Sequence, residues 1–168
     1  MISSLNCFLP KYILYDLVFF ILLLNMFIIS TININGLNSL NKQQQVVDFM
    51  KFHKIDILLI QEHNIRNSNA IGEVLNEYCY VCLNLSVCLK GGTAILINRK
   101  LPFDIFNEEK SADSRIISIR LKVYDQYIHI INVYEHSGRK TSERNHLFNN
   151  ELPYYMRNSL QNTYVGGD

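Results

Sequence analysis

The sequence predicts an α/β fold, because segments with the pattern of strands alternate along the chain with segments that have the pattern of helices. Residues 55–61 form a short continuous apolar run, which is typical of a strand covered on both faces. Residues 40–54 carry apolar side chains at helical spacing, and residues 114–122 alternate apolar and polar side chains as a half-buried strand does. The 168 residues are enough for one domain with a sizeable core.

The composition excludes several classes of protein. Hydrophobic residues make up 48% of the chain and charged residues 18%, which excludes a disordered or low-complexity polypeptide. The formal net charge is +1, so any contact with nucleic acid has to come from a local patch. Cys79 and Cys82 form a lone CxxC pair whose members point to opposite faces of an extended segment, so we expect buried hydrophobic residues in preference to a zinc site.

An apolar stretch over residues 12–29 allows three interpretations. Its length is near the minimum of ~17 residues for a membrane-spanning helix. The preceding Lys11 instead resembles the start of a signal peptide or signal anchor. Residues 26–34, however, have the pattern of a buried strand, so we favour an apolar leader over residues 1–25, such as a spurious upstream extension, before a domain over residues 26–168. These alternatives leave the localisation open between nucleus, cytoplasm and membrane.

The elements of the first half follow in order from that first strand. The breaker Asn35-Gly36 ends it, and the amphipathic helix over residues 40–54 leads into the apolar strand over residues 55–61. A short helix is predicted over residues 70–78. Each strand thus has a helix next to it in the sequence, as an α/β arrangement requires.

The second half is predicted to contain more strands than helices. A turn at Gly91-Gly92 separates two of the strands, and a short connection makes the next two a plausible antiparallel hairpin. These strands are predicted over residues 80–85, 93–98, 114–122 and 127–134. A second amphipathic helix covers residues 141–158, although Pro153 interrupts it, and a last strand begins at residues 163–165.

Polar residues lie at or just beyond the C-terminal ends of several predicted strands. They are Asn33, Asn35, Glu62, Tyr134 and Asp168. Strand ends that converge on one edge of an α/β sheet are where sites are built. The carboxylate of Glu62 follows an apolar strand directly and needs a partner, which a hard divalent ion such as Mg²⁺ provides. Taken singly, each residue also has an ordinary structural explanation, as a loop residue, a turn amide, a core tyrosine or a solvated terminus.

Five short motifs in a fixed order resemble a known family. They are TININGLNS from Thr31, DILLIQE up to Glu62, GTAILI from Gly92, INVY up to Tyr134 and VGGD up to Asp168. The series resembles the exonuclease–endonuclease–phosphatase superfamily, which has the fold of DNase I, and is most similar to the endonuclease domain of non-LTR (LINE-type) retrotransposons. The resemblance extends from about residue 27 to residue 168. It implies a DNase I-like α/β sandwich.

The resemblance implies roles for the matching residues. Glu62 matches the metal-binding glutamate, and Asn33 matches the asparagine that supports the metal and phosphate site. Asn35 occupies a position where some relatives carry a second acidic residue. Tyr134 matches the tyrosine that approaches the scissile phosphate, and Asp168 the aspartate that orients or deprotonates the attacking water. The implied reaction is hydrolysis of a phosphodiester with Mg²⁺ or Mn²⁺.

The sequence also departs from the family pattern. Many relatives have Ala-Pro after the tyrosine, where this chain has Glu135-His136, and we expect both His136 and His63 to be exposed loop histidines. The second half of the family's domain, with its Asp-His pair, has no counterpart in the 168 residues. We therefore expect a fold truncated after roughly its first half, which supplies mainly one of the two sheets and is inactive alone.

Three functions remain open at this point. The first is a DNA-nicking endonuclease, with DNA and a downstream reverse transcriptase domain as partners. The second is another phosphoesterase of the same superfamily, anchored to a membrane by the apolar N-terminus. The third is a non-catalytic remnant. For DNA contact we expect local basic residues in two loop regions, Lys90, Arg99 and Lys100 in one and Arg139, Lys140 and Arg144 in the other.

Overall fold

Two β-sheets organise the computed structural model, which describes residues 22–24, 27–135, 141–157 and 162–168. The strands are β1 (Leu22–Leu24), β2 (Phe27–Asn33), β3 (Ile57–Gln61), β4 (Cys79–Asn84), β5 (Thr93–Asn98), β6 (Phe103–Lys110), β7 (Ile116–Val123), β8 (Gln126–Val133) and β9 (Asn162–Gly167). The helices are α1 (Leu40–Phe52), α2 (Glu73–Tyr78), α3 (Thr141–His146) and α4 (Leu152–Met156), with a 3₁₀ turn at Ser68–Ala70 and a π-helical turn at Leu147–Glu151.

The strands form one sheet of five and one of four. Sheet A has the order β1-β2-β3-β5-β4, and only its β2–β3 pair is parallel. Sheet B has the order β6-β7-β8-β9, in which β8 and β9 are parallel. The predicted hairpin of β7 and β8 is confirmed. Each parallel pair brings two strand C-termini to one edge, and this places the residues that follow those strands side by side.

Helix α1 covers the outer face of sheet A. The side chain of Ser39 caps its first turn by accepting a hydrogen bond from the backbone N–H of Lys42. The buried face of the helix includes Val46, Val47 and Met50, which belong to the same apolar cluster as residues of β2, β3 and β5. This packing explains why β3 is apolar except at Gln61, since a layer covers each of its faces.

A second apolar cluster fills the space between the two sheets. Ile57 and Leu59 of β3 pack there against Ile117 and Ile119 of β7. The expectation that the chain supplies mainly one sheet is therefore wrong, because β6 to β9 form a second sheet that covers the first. An alternating pattern shows that a strand is half buried, but it does not show to which sheet the strand belongs.

Two buried asparagines link the sheets across this apolar layer. The side-chain amide of Asn132, in β8, donates hydrogen bonds to the carbonyls of Ile60 and Ala94 in sheet A, both at 2.8 Å. Its Oδ1 accepts a bond of 2.5 Å from Nε2 of Gln61. From sheet A, the amide of Asn84 donates to a carbonyl at the start of β7, that of Ile116, at 2.9 Å. Buried amides that are satisfied in this way fix the position of one sheet on the other.

The two cysteines of the CxxC pair lie on opposite faces of β4. Cys79 packs in the cluster under the helices, whereas Cys82 packs in the cluster between the sheets. Burial raises the pKa of the Cys79 thiol to about 12 and also raises that of Cys82. These thiols are buried hydrophobic groups, as the spacing predicts.

The apolar stretch near the N-terminus is described only in part. Leu22–Leu24 forms β1 and pairs with the first residues of β2, where Leu24 is opposite Phe27. In the portion of the chain that the structure describes, no helix has the length and apolar character needed to span a bilayer. The leader over residues 1–25 otherwise lies outside the described residues and stays a prediction.

Candidate functional site

A hydrogen-bonded cluster joins four of the five candidate side chains. The amide of Asn33 donates to Oε1 of Glu62 at 3.1 Å and to Oδ2 of Asp168 at 2.7 Å. The hydroxyl of Tyr134 donates to the same Oε1 of Glu62 at 2.7 Å. Residues up to 135 positions apart in sequence thus meet at one point. This point lies where β2 and β3 of sheet A and β8 and β9 of sheet B all end.

The parallel pair in sheet A places Asn33 beside Glu62. Asn33 is the register partner of Gln61, so Glu62 is the next residue beyond the strand. Glu62 has a φ of 53°, a left-handed conformation that is uncommon for a residue with a side chain. Its carbonyl accepts a bond of 2.6 Å from the N–H of Gly36, so the loops after both strands are tied together.

The parallel pair in sheet B places Tyr134 beside Asp168. Val133 and Gly167 are register partners, and the N–H of Asp168 donates to the carbonyl of Val133 at 3.1 Å. The N–H of Glu135 in turn donates to the carbonyl of Asp168 at 2.8 Å. Gly167 has a φ of 154°, and a Cβ at this position would overlap the Val133 carbonyl oxygen. The Gly-Gly-Asp sequence therefore lets Asp168 approach the end of β8 closely.

The structure does not bring the Asn35 side chain into this cluster. Asn35 is exposed, with a φ of 47°, and its backbone N–H donates to Oδ1 of Asn33 at 3.3 Å. The ammonium of Lys42 donates to the Asn35 carbonyl at 2.9 Å. Asn35 thus orients Asn33 through its backbone, and its match to a second acidic position of the family stays a prediction.

The cluster is buried on one side and open to solvent on the other. Tyr134 is only 4% exposed, Glu62 and Asn33 are half-buried, and Asp168 is exposed. Among the described residues, both bonds to the Glu62 carboxylate fall on Oε1, which leaves Oε2 for a ligand. The arrangement therefore holds one carboxylate firmly and presents the other to solvent.

The donor set fits a hard divalent cation. Two carboxylates, those of Glu62 and Asp168, converge on the amide of Asn33, and all three side chains offer oxygen atoms. Mg²⁺ is commonly held by one or two carboxylates while it keeps several waters. The described residues contain no group of three or more His, Cys, Asp or Glu side chains placed to hold a metal.

His63 is not the exposed loop histidine that the sequence suggested. It is 0% exposed; its Nδ1 accepts a bond of 2.9 Å from the N–H of Ile65, and its Nε2 donates to the carbonyl of Asn84 at 2.9 Å. A Cβ on Gly92, which has a φ of 88°, would overlap the ring. His63 therefore supports the loop after β3 from its buried side. His136 lies outside the described residues.

Burial of His63 predicts a loss of stability in acid. Burial lowers the pKa of its imidazole from 6.5 to about 4, so the unfolded chain binds a proton in this range before the folded chain does. The stabilisation is complete above about pH 6.5 and disappears as the pH falls towards 4, with a loss of about 2 kcal/mol at pH 5. Urea unfolding at several pH values measures this loss. In His63→Gln the dependence should become shallower, and an unchanged slope would assign it to other groups.

Glu135, the departure from the family pattern, points away from the cluster. Its Oε2 accepts a bond of 3.0 Å from Nη1 of Arg115, whose Nη2 donates to Glu151 at 2.9 Å and whose Nε pairs with Asp113. The side chains of Arg115 and Glu135 are both almost fully buried. This ion-pair network fixes the start of β7 to the helical segment and adds no carboxylate to the site.

Sequence reasoning missed the polar residues that support the site, and it grouped some basic residues wrongly. Gln61 and Asn132 are buried directly behind Glu62 and Tyr134, and a polar residue inside an apolar strand was the available signal.

Lys90 and the Arg99-Lys100 pair do not share a set of loops, because they flank opposite ends of β5, about 17 Å apart. Only Lys90 lies on the side of the site.

Comparisons with known proteins support the fold. No family model matches the sequence. TDP2 from C. elegans is 21% identical over 83% of this chain and 46% of its own length, with a TM-score of 0.64. An AP endonuclease from Archaeoglobus fulgidus is 21% identical over 83% of this chain and 56% of its own, with a TM-score of 0.60. An endonuclease/exonuclease/phosphatase family protein from Bacteroides thetaiotaomicron is 14% identical over 83% and 62%, with a TM-score of 0.60.

The chain thus spans about half to three-fifths of the length of these structures, between 46% and 62%. Similarity at this level of identity shows the fold and leaves activity, substrate and partners to be argued from the site. The predicted fold class is confirmed: the chain has the α/β sandwich fold that DNase I-like structures of the endonuclease/exonuclease/phosphatase type share.

Proposed function

We propose that the cluster of Asn33, Glu62, Tyr134 and Asp168 belongs to a site for metal-dependent hydrolysis of phosphodiesters, in a DNA-nicking endonuclease of the type that non-LTR retrotransposons encode. The observation that carries this proposal is that the Asn33 amide donates to the carboxylates of Glu62 and Asp168, while the Tyr134 hydroxyl donates to the same Glu62 carboxylate. Structures with the same fold include an AP endonuclease and a TDP2 from D. rerio complexed with a single-stranded DNA product. DNA is accordingly the proposed substrate, and a downstream reverse transcriptase domain the proposed partner in a full-length element.

Each side chain has a task that follows from its position. Glu62 and Asn33 would hold Mg²⁺ or Mn²⁺, which supplies charge stabilisation for the phosphate and the leaving oxygen. Tyr134 carries a hydroxyl donor from a buried ring, so its direction is fixed before the substrate arrives. Asp168 is exposed, and its carboxylate can accept the proton of an attacking water. Asn33 keeps the two carboxylates apart and correctly directed.

The described residues provide no histidine at this site that could donate a proton to the leaving oxygen. His63 is adjacent to Glu62 in sequence, but both of its ring nitrogens are engaged and burial lowers its pKa to about 4. General acid catalysis near neutral pH needs a group that titrates near that pH. We therefore propose that the 168-residue chain binds the metal ion and is by itself inactive as a nuclease.

Two measurements on the full chain test this proposal. Calorimetric titration with Mn²⁺ should show binding, and supercoiled plasmid incubated with the chain in Mg²⁺ should remain intact. Absence of Mn²⁺ binding would contradict the metal site. Plasmid nicking that Glu62→Ala abolishes would confirm the site and overturn the proposed inactivity, whereas nicking that Glu62→Ala leaves intact would place the activity elsewhere.

A further inference from the structure

A cavity of about 480 Å³ opens beside the proposed site. It lies between the loop over residues 86–92 and the turn over residues 113–115, and Tyr134 also lines it. The same tyrosine donates its hydroxyl to Glu62, so the cavity and the proposed hydrolytic site share one wall. Ligand pockets commonly have volumes of ~300–1,000 Å³. A group bound here would be adjacent to whatever the cluster binds.

The loop that walls the cavity is held in place by hydrogen bonds. The N–H of Gly91 donates to the side chain of Asn64 at 2.8 Å, and the N–H of Asn64 donates to the Gly91 carbonyl at 2.9 Å. On the opposite side, the N–H of Val87 donates to the hydroxyl of Ser114 at 3.1 Å, and this hydroxyl donates to the Leu85 carbonyl at 2.5 Å. A loop fixed on both sides presents its side chains without a large ordering cost on binding.

The loop presents apolar side chains to solvent at the cavity. Val87 is 65% exposed and Leu89 82% exposed, and both line the cavity. The folded chain gains nothing from this exposure, whereas a ligand that covers these side chains removes apolar surface from water, which favours binding. Lys90, between Leu89 and the Gly91-Gly92 turn, adds a positive charge to the same wall.

The other charged groups of the cavity are already paired. Arg115 uses Nε, Nη1 and Nη2 for carboxylates, one of which belongs to Asp113, another lining residue. Of the cationic side chains that line the cavity, Lys90 is therefore the one placed to meet a phosphate. The cavity combines an apolar wall with the positive charge of Lys90, next to a site that we assign to a phosphodiester.

We propose that this cavity binds an unpaired nucleobase that flanks the scissile phosphodiester. Val87 and Leu89 cover a face of the base, and Lys90 meets the adjoining phosphate. This inference rests on the proposed function, because it takes the neighbouring cluster as the phosphodiester site. Bases removed from a stack are commonly held between aromatic or apolar side chains. The loop over residues 86–92 would then favour single-stranded or locally opened DNA over an intact duplex.

A comparison of two oligomers on the full chain tests the role of the base. One is a fluorescein-labelled oligothymidylate of about eight nucleotides, and the other is an abasic chain with the same number of phosphates. Because a base that covers Val87 and Leu89 removes apolar surface from water, fluorescence anisotropy should show binding of the abasic chain that is weaker by about tenfold. Equal affinity of the two oligomers, or binding of neither, would overturn the proposal.

Two variants locate the effect on the loop. Leu89→Ser and Val87→Ser, both at exposed positions, should make the affinities for the oligothymidylate and for the abasic chain similar. Phe52→Ser, which removes a 77% exposed ring from α1, should preserve the difference between these two affinities. A difference that persists in Leu89→Ser would overturn the proposal. Mn²⁺ titration separates the two failures: equal oligomer affinities with intact Mn²⁺ binding disprove only the base site, whereas a base preference without Mn²⁺ binding disproves only the metal site.

Discussion

The Glu62→Gln chain is expected to bind Mn²⁺ at least about 100-fold more weakly than the natural chain. The substitution keeps the length of the side chain and an oxygen that can accept the hydrogen bond from Tyr134. It removes the negative charge and adds an NH₂ group at the end of the side chain. The amide of Asn33 donates to this end of residue 62, so two donors would then face each other. Calorimetric titration with Mn²⁺ near neutral pH measures the change.

Two further variants make this result specific. Glu77→Gln removes an exposed carboxylate from α2 and should leave Mn²⁺ affinity unchanged. Tyr134→Phe removes a hydrogen bond to the Glu62 carboxylate and no ligand charge, so it should lower the affinity less than Glu62→Gln does, by about tenfold. If Glu62→Gln binds Mn²⁺ as well as the natural chain does, the ion binds elsewhere and the proposed function loses its central carboxylate.

The Asn132→Leu substitution should lower the free energy of unfolding by about 3 kcal/mol or more. Leucine has a similar volume, but it removes three hydrogen bonds from a buried layer, namely those to the carbonyls of Ile60 and Ala94 and the one from the side-chain amide of Gln61. Each unsatisfied buried group costs about 1–3 kcal/mol. Urea unfolding followed by circular dichroism provides the measurement.

Asn107→Leu is the matched control for this loss. Asn107 lies on β6, at the edge of sheet B, and its amide donates to the nearby Glu109 side chain. Its replacement removes one hydrogen bond at a half-buried edge position and should change stability by less than about 1 kcal/mol. A similarly small effect of Asn132→Leu would show that the amide between the sheets contributes little to holding them together.

The sequence predicts one half of the site from elementary strand physics. The apolar run over residues 57–60, shortly before Glu62, indicates a strand covered on both faces, and such strands are commonly paired in parallel, so the residues after them share an edge. The meeting of Asn33 and Glu62 follows from this. The other half depends on the pairing of β8 with β9, and no local pattern in either strand specifies its partner.

The buried polar groups were harder to predict for a related reason. His63, Gln61 and Asn132 are polar, and polarity alone favours exposure. Each is buried because distant parts of the chain supply its partners, such as the Asn84 carbonyl for His63. A sequence shows the donor or acceptor that a side chain carries, but the location of its complement becomes known only when the fold is assembled.

The meeting of residues 33 and 168 also has a consequence for the speed of folding. A contact between distant residues requires the chain between them to lose conformational entropy before the contact stabilises the fold. Proteins dominated by such contacts therefore fold slowly. The cluster links four strands from both sheets, so it cannot exist in an intermediate that has formed one sheet alone. Stopped-flow refolding with a probe near Tyr134 should therefore report the slowest phase, after the hairpin of β7 and β8 has formed.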